Sequence, residues 1–144
     1  MKDHTKILEI YDLEKRLGGL SQKKIGLCHG VFDLLHIGHI KYLQEAKSIC
    51  DILVVTITQD KNVNKGPSRP AFTEIQRAEG ISALECVDFV SINQWPTSIE
   101  TIDLIKPDFY IKGPDYVNMS DDITGNIKKE KLAVENNGGE LIFT

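Results

Sequence analysis

His36 and His39 stand three residues apart in the stretch Gly30-Val31-Phe32-Asp33-Leu34-Leu35-His36-Ile37-Gly38-His39. Imidazoles donate N–H bonds to phosphate oxygens, and this spacing puts both rings on neighbouring faces of a single helical turn. The stretch follows a short strand expected over Lys24-Ile25-Gly26-Leu27-Cys28 and opens a helix expected from about Ile37 to Ser48. A strand–loop–helix junction collects unpaired N–H groups and the positive end of the helix dipole, where an anion binds. Gly30 lets the backbone come close to a ligand, and Gly38 does the same in the first helical turn. The chemistry that fits is phosphate binding. Two other readings use the same residues. A histidine pair at a helix start can simply cap or pack. Cys28, His29, His36 and His39 lie close enough in sequence to suggest zinc, although their spacing fits no common finger or ribbon.

The elements that must hold this junction alternate along the chain. A helix is expected over residues 5–17, with Ile7, Ile10 and Leu17 facing inward and Gly18-Gly19 as its stop. Residues 1–23 thus form an N-terminal helix and linker ahead of a domain at 24–144. Asp51 to Thr58 is a β-branched, nearly continuous apolar run, which indicates a strand buried on both faces. A polar loop over 59–71 carries Lys61, Lys65 and Arg69. A helix is expected over 73–85 with Ile75, Ala78, Ile81 and Leu84 inward, then a strand at 87–92 and a helix at 98–105. A strand at 108–112 ends in Gly113-Pro114, a polar helix covers 121–136, and a last strand covers 140–143. Lys128-Lys129-Glu130-Lys131 reads as a solvated helix face. Such alternation predicts an α/β fold, a three-layer α/β/α arrangement with a five-stranded parallel sheet. Ligands in such sheets sit at the carboxyl ends of the strands, which points to residues 29–39, 59–70 and 112–118.

Composition narrows the function classes. The chain has 144 residues, 41 % hydrophobic and 26 % charged, with a net charge of −4. A mildly acidic domain lacks the basic footprint of a nucleic-acid binder. No N-terminal apolar run marks a signal peptide and no stretch is long enough to span a membrane. Three widely spaced cysteines, Cys28, Cys50 and Cys86, suit reduced thiols and a cytoplasmic setting.

Gly-x-Phe-Asp-x-x-His-x-Gly-His resembles the signature of the cytidylyltransferase-like nucleotidyltransferase superfamily. The resemblance extends over about residues 24–143. It is strongest to the branch holding heptose-1-phosphate adenylyltransferase and glycerol-3-phosphate cytidylyltransferase, through Lys65-Gly66, Ser68-Arg69-Pro70, Gln76-Arg77, Ala83-Leu84-Glu85-Cys86-Val87-Asp88 and Lys112-Gly113-Pro114-Asp115-Tyr116. The motif around His36 to His39 also spells that of class I aminoacyl-tRNA synthetases, but their second loop motif is missing. The resemblance implies that His36 and His39 bind the triphosphate and stabilise the α-phosphate under attack. It implies that Lys65 neutralises charge between acceptor and donor phosphates. It places Gly30, Val31, Phe32, Asp33 and Gly38 around the nucleotide, with Asp33 either holding the loop through backbone N–H groups, the preferred reading, or reaching the metal or acceptor. Lys112, Gly113 and Asp115 fall near ribose, base or acceptor, and Arg77 orders the site or pairs structurally.

The implied reaction transfers a nucleotidyl group from ATP or CTP to a sugar phosphate or polyol phosphate, with Mg²⁺ accompanying the nucleoside triphosphate and no metal assigned to the protein itself. The alternative is a non-catalytic nucleotide-binding or scaffolding module of a larger protein. Similar enzymes commonly form homodimers. They continue past the fifth strand into a Ser/Thr-rich turn and helix, so residues 24–144 are expected to lack that element, and a fused sugar-kinase domain is expected in the full-length protein.

Overall fold

The computed structural model describes residues 6–63, 66–113 and 126–144. Five strands, β1 (Ile25–Gly30), β2 (Ile52–Ile57), β3 (Phe89–Ile92), β4 (Phe109–Lys112) and β5 (Glu140–Phe143), form one sheet in the order β3-β2-β1-β4-β5. Every pairing is parallel. The helices are α1 (Ile10–Gly18), α2 (Ile37–Ile49), α3 (Glu74–Ser82), α4 (Ile99–Ile105) and α5 (Asn126–Asn136). The alternation read from the sequence is therefore the fold.

Two apolar layers sandwich the sheet. Leu43 and Ala46 of α2 and Ala78 and Ile81 of α3 pack on Cys28, Val55 and Ile57. Ile10, Leu13 and Leu17 of α1, Ile102 of α4 and Ala133 and Val134 of α5 pack on the other face, against Leu27, Val54 and Tyr110. Alternation along β1 and β2 divides their side chains between the layers, which is why their sequence is apolar without interruption. The crossovers change face after β3, so the strand order reverses between β1 and β4. In sheets of this kind such a reversal leaves a crevice at the carboxyl ends, the place where ligands bind.

Three local expectations are corrected. The first helix begins at Ile10, not residue 5, because the Glu9 carboxylate caps it by accepting from the amides of Tyr11 and Asp12. Ile7 instead bridges Val90 in parallel on the outer edge of β3, with Leu8 N donating to Val90 O at 2.9 Å. Ile75 was expected inward but is 62 % exposed, and Arg77 occupies the buried stripe of α3 with Ala78 and Ile81. Glu130 was expected in solvent but is 6 % exposed. It lies on the stripe of Ile127, Ala133 and Val134, at helical spacing from each. Among the described residues no helix is long and apolar enough to cross a membrane.

Candidate active site

The loop from Val31 to His36 is held by residues distant in sequence. Asp33 Oδ2 accepts from Arg69 Nη1 at 2.9 Å and from Ala71 N at 2.8 Å, while Oδ1 accepts from Phe72 N at 3.0 Å. Burial pushes its carboxyl pKa up, but the two amides and the Arg69 guanidinium outweigh burial and bring it down to about 2. Asp33 thus fastens the segment after β2 to the segment after β1. Arg77 completes the clamp. Its guanidinium donates to Phe72 O at 3.0 Å, Val31 O at 2.9 Å and the Asp60 carboxylate at 2.6 Å. With its side chain fully buried, Arg77 positions the loop through Val31 instead of offering an open guanidinium.

Phe32 adopts a left-handed φ of 50°, rare for a bulky residue. Its ring folds back so that a Cβ on Gly30 would lie 3.0 Å from it. The close approach that Gly30 permits is therefore made first by this chain's own ring. The same ring meets His39 edge-on, with centroids 5.7 Å apart.

His36 is the N-cap of α2, and its Nδ1 accepts from Gly38 N at 3.0 Å. His39 Nδ1 accepts from His36 N at 3.2 Å, and the ring centroids lie 4.1 Å apart. This is a capping box made of two imidazoles in place of Ser/Thr and Glu. Because each Nδ1 is an acceptor, each ring in this arrangement carries its proton on Nε2. The cap thereby orients two N–H donors beside the first-turn amides of α2. Gly38 leaves room for this ring orientation, since a Cβ there would stand 2.7 Å from His36 Cε1.

Across the crevice, Tyr42 of α2 donates its hydroxyl to Ile111 O at 2.5 Å and ties α2 to β4. Lys112, at the end of β4, is buried. Its Nζ lies 3.8 Å from Glu130 Oε2 and 5.2 Å from the Tyr110 ring centroid. Glu130 accepts from Ser98 Oγ at 2.5 Å and from the Tyr110 hydroxyl. Burial, and then the Glu130 carboxylate, hold the Tyr110 phenol well above its usual range. Gly113 follows directly, near the Tyr42 ring. Lys65 and Asp115 lie outside the described residues.

Cys28 and His29 point to opposite faces of β1. Cys28 sits in the α2-side core, where burial pushes its thiol up to about 12. His29 Nδ1 meets Thr56 Oγ1 at 2.9 Å. The residues suggested as a zinc set are therefore divided. Among the described residues no group of three or more His, Cys, Asp or Glu could hold a metal ion.

Asp60, Tyr42 and Glu130 were not singled out from the sequence. Glu130 had a usable signal in its place on the apolar stripe of α5. The other two had none, because their partners are 17 and 69 residues away.

The chain resembles known proteins over most of its length. The model of the family described as cytidylyltransferase-like matches residues 27–141. The bifunctional protein HldE of Helicobacter pylori (strain P12) is 46 % identical over 117 residues, covering 80 % of this chain and 25 % of that protein. The protein of the same name from Syntrophotalea carbinolica is 41 % identical over 110 residues, covering 75 % of this chain and 22 % of that one. The chain thus spans about a quarter of the length of these relatives. Among solved structures, the lipopolysaccharide core biosynthesis protein from Thermoplasma volcanium GSS1 superposes with a TM-score of 0.70 at 28 % identity, covering 84 % of this chain and 95 % of that one. Pantoate-beta-alanine ligase from Francisella tularensis, with a TM-score of 0.67 at 18 % identity over 96 % of this chain and 66 % of that one, shares the fold. With the interlocked histidines at the start of α2 and a matching family model over most of its length, the chain belongs to the cytidylyltransferase-like family and is a nucleotidyltransferase domain.

Proposed function

We propose that this domain transfers a nucleotidyl group from ATP or CTP to a sugar phosphate or polyol phosphate and releases pyrophosphate. The observation that carries this reading is the imidazole capping box, which holds two Nε2–H donors at a helix N-terminus. An acceptor phosphate oxygen attacks the α-phosphorus. The new P–O bond forms as the bond to the β-phosphate bridging oxygen breaks, and pyrophosphate leaves with that electron pair. The nucleophile is already anionic at neutral pH, so no strong base is needed. Positioning and charge neutralisation supply the rate. His36 and His39 neutralise charge on the α-phosphate, and the amides of α2 hold the triphosphate. Lys65 lies between the donor and acceptor phosphates. Mg²⁺ enters with the substrate, as the metal complex of the triphosphate. Asp33 serves the loop instead, through its bonds from Arg69, Ala71 and Phe72.

Similarity to the HldE proteins and to a lipopolysaccharide core biosynthesis protein supports a sugar-phosphate acceptor in cell-envelope glycan synthesis, in the cytoplasm. The greater length and bifunctional name of those relatives support a second, sugar-kinase activity on the same polypeptide.

Pyrophosphate release, measured with each nucleoside triphosphate against a panel of sugar and polyol phosphates, tests the reading. Release that requires both substrates is expected. Lys65→Ala should lower turnover at saturation more than it weakens nucleotide binding. Nucleotide binding without turnover on any acceptor would favour a non-catalytic binding module.

A further inference from the structure

One polar feature at the carboxyl end of the sheet is not used by the proposed chemistry. His29, Thr56 and Ser91 are register partners on β1, β2 and β3. They form a row across the α1- and α4-covered face of the sheet, at its carboxyl end. Thr56 and Ser91 are fully buried, and His29 is half-buried. Thr56 Oγ1 lies 2.9 Å from His29 Nδ1 and so fixes the ring, and no described residue makes a hydrogen bond to its Nε2. The Ser91 hydroxyl is buried without a hydrogen-bond partner among the described residues. A buried polar atom without a partner is costly and rare, and it calls for an explanation. Hydrogen-bonding capacity is therefore built into this row beyond what the fold consumes.

The row is uncharged. Burial and the nearby Lys112 keep His29 neutral down to about pH 3. A neutral imidazole beside two hydroxyls can both donate and accept, as a sugar or polyol hydroxyl requires. A phosphate is better served by cations and by the start of α2. The row also lies on the β1–β2–β3 half of the sheet, from which the Lys65 loop departs after β2. Lys112 and Gly113 leave from the other half.

We infer that His29, oriented by Thr56, is a specificity-determining residue that hydrogen-bonds a hydroxyl of the acceptor's sugar or polyol portion. This rests on the proposed nucleotidyl transfer to such a phosphate.

The test uses the full chain with glycerol 3-phosphate, glucose 1-phosphate and heptose 1-phosphate as acceptors, taking the one the wild type turns over fastest. His29→Ala is expected to raise the acceptor KM about tenfold and to leave the nucleotide KM within about twofold. It should also narrow the preference for that acceptor over its deoxy analogues. Thr56→Val, close in shape, should move the acceptor KM in the same direction by less, and Thr56→Ser should restore it. An acceptor KM and deoxy preference unmoved in a cooperatively melting His29→Ala protein would overturn the inference. So would a parallel rise in nucleotide KM. If His29→Ala does not fold, Thr56→Val carries the same comparison. Unmoved variants of an active wild type refute this inference alone. A wild type that turns over no phosphorylated acceptor refutes the proposed function as well.

Discussion

The two sides of the crevice solve different problems. At the start of α2, the polar groups bond within one turn of helix, over two or three residues, and His36 is exposed. At the end of β4, Lys112, Tyr110, Ser98 and Glu130 are buried and drawn from three elements, with partners 12 to 32 residues apart. The exposed side spends little on desolvation. The buried side carries a charge pair that water cannot screen, so its order depends on every member being present. Under the proposed function the first arrangement meets a changing charge on the nucleotide, whereas the second keeps α4 and α5 fixed on β4.

The contrast can be broken from either side. Glu130→Ala removes the acceptor of two buried hydroxyls and the carboxylate facing Lys112. It should cost about 3–5 kcal/mol of stability, read by chemical denaturation. A loss under 1 kcal/mol would mean that the network is not holding the second half of the sheet. On the exposed side the cost should fall on rate. His36→Ala or His39→Ala should each lose about 2.7–4 kcal/mol of transition-state stabilisation, roughly 10²–10³ in turnover. The loss of an N-cap should lower stability by only about 0.5–2 kcal/mol. A His36→Ala enzyme with unchanged turnover and a lower melting temperature would reduce the capping box to a structural device.

Acid sharpens the comparison further. His29 and Asp33 have folded-state pKa values below their ordinary ones, so the unfolded chain binds more protons and stability is lost as the pH drops in both cases. For His29, burial and Lys112 set the window between 6.5 and about 3. For Asp33, the window lies between 3.8 and about 2. His29→Asn should flatten the upper part of the stability profile, and Asp33→Asn the lower part. Urea midpoints taken from pH 7 to pH 2 would show this, and parallel profiles for wild type and both variants would contradict it. The smallest effect is expected from Gly38→Ala. The added methyl displaces His36 Cε1, and turnover should fall about tenfold with little change in stability. Unchanged turnover would show that the orientation of the His36 ring is not critical.

Much of this was legible along the chain. Apolar runs at β1 and β2, turn signals between elements, and the spacing of His36, Gly38 and His39 are local, and local physics decides them. The motif could be read as a phosphate site because a helix N-terminus and two imidazoles need only each other. Errors arose where a distant partner overrode a local preference. Ile7 joined the edge of β3 and not a helix. Arg77 displaced Ile75 from the interior because Val31, Phe72 and Asp60 supply acceptors for its guanidinium. Glu130 left a charged run for the core because Ser98 and Tyr110 meet it there.

The sequence by itself determined the alternation of strands and helices, the anion-attracting junction after β1, and the kind of chemistry two adjacent imidazoles can do. These depend on periodicity, on backbone groups left open at a helix start, and on contacts within one turn. Only the tertiary structure decided that the strand order reverses between β1 and β4, that Arg77 and Asp33 serve the loop, and that His29, Thr56 and Ser91 share one level of the sheet. Those outcomes depend on which residues, far apart in the chain, come within hydrogen-bonding distance, and that distance is set by the packing of the whole domain.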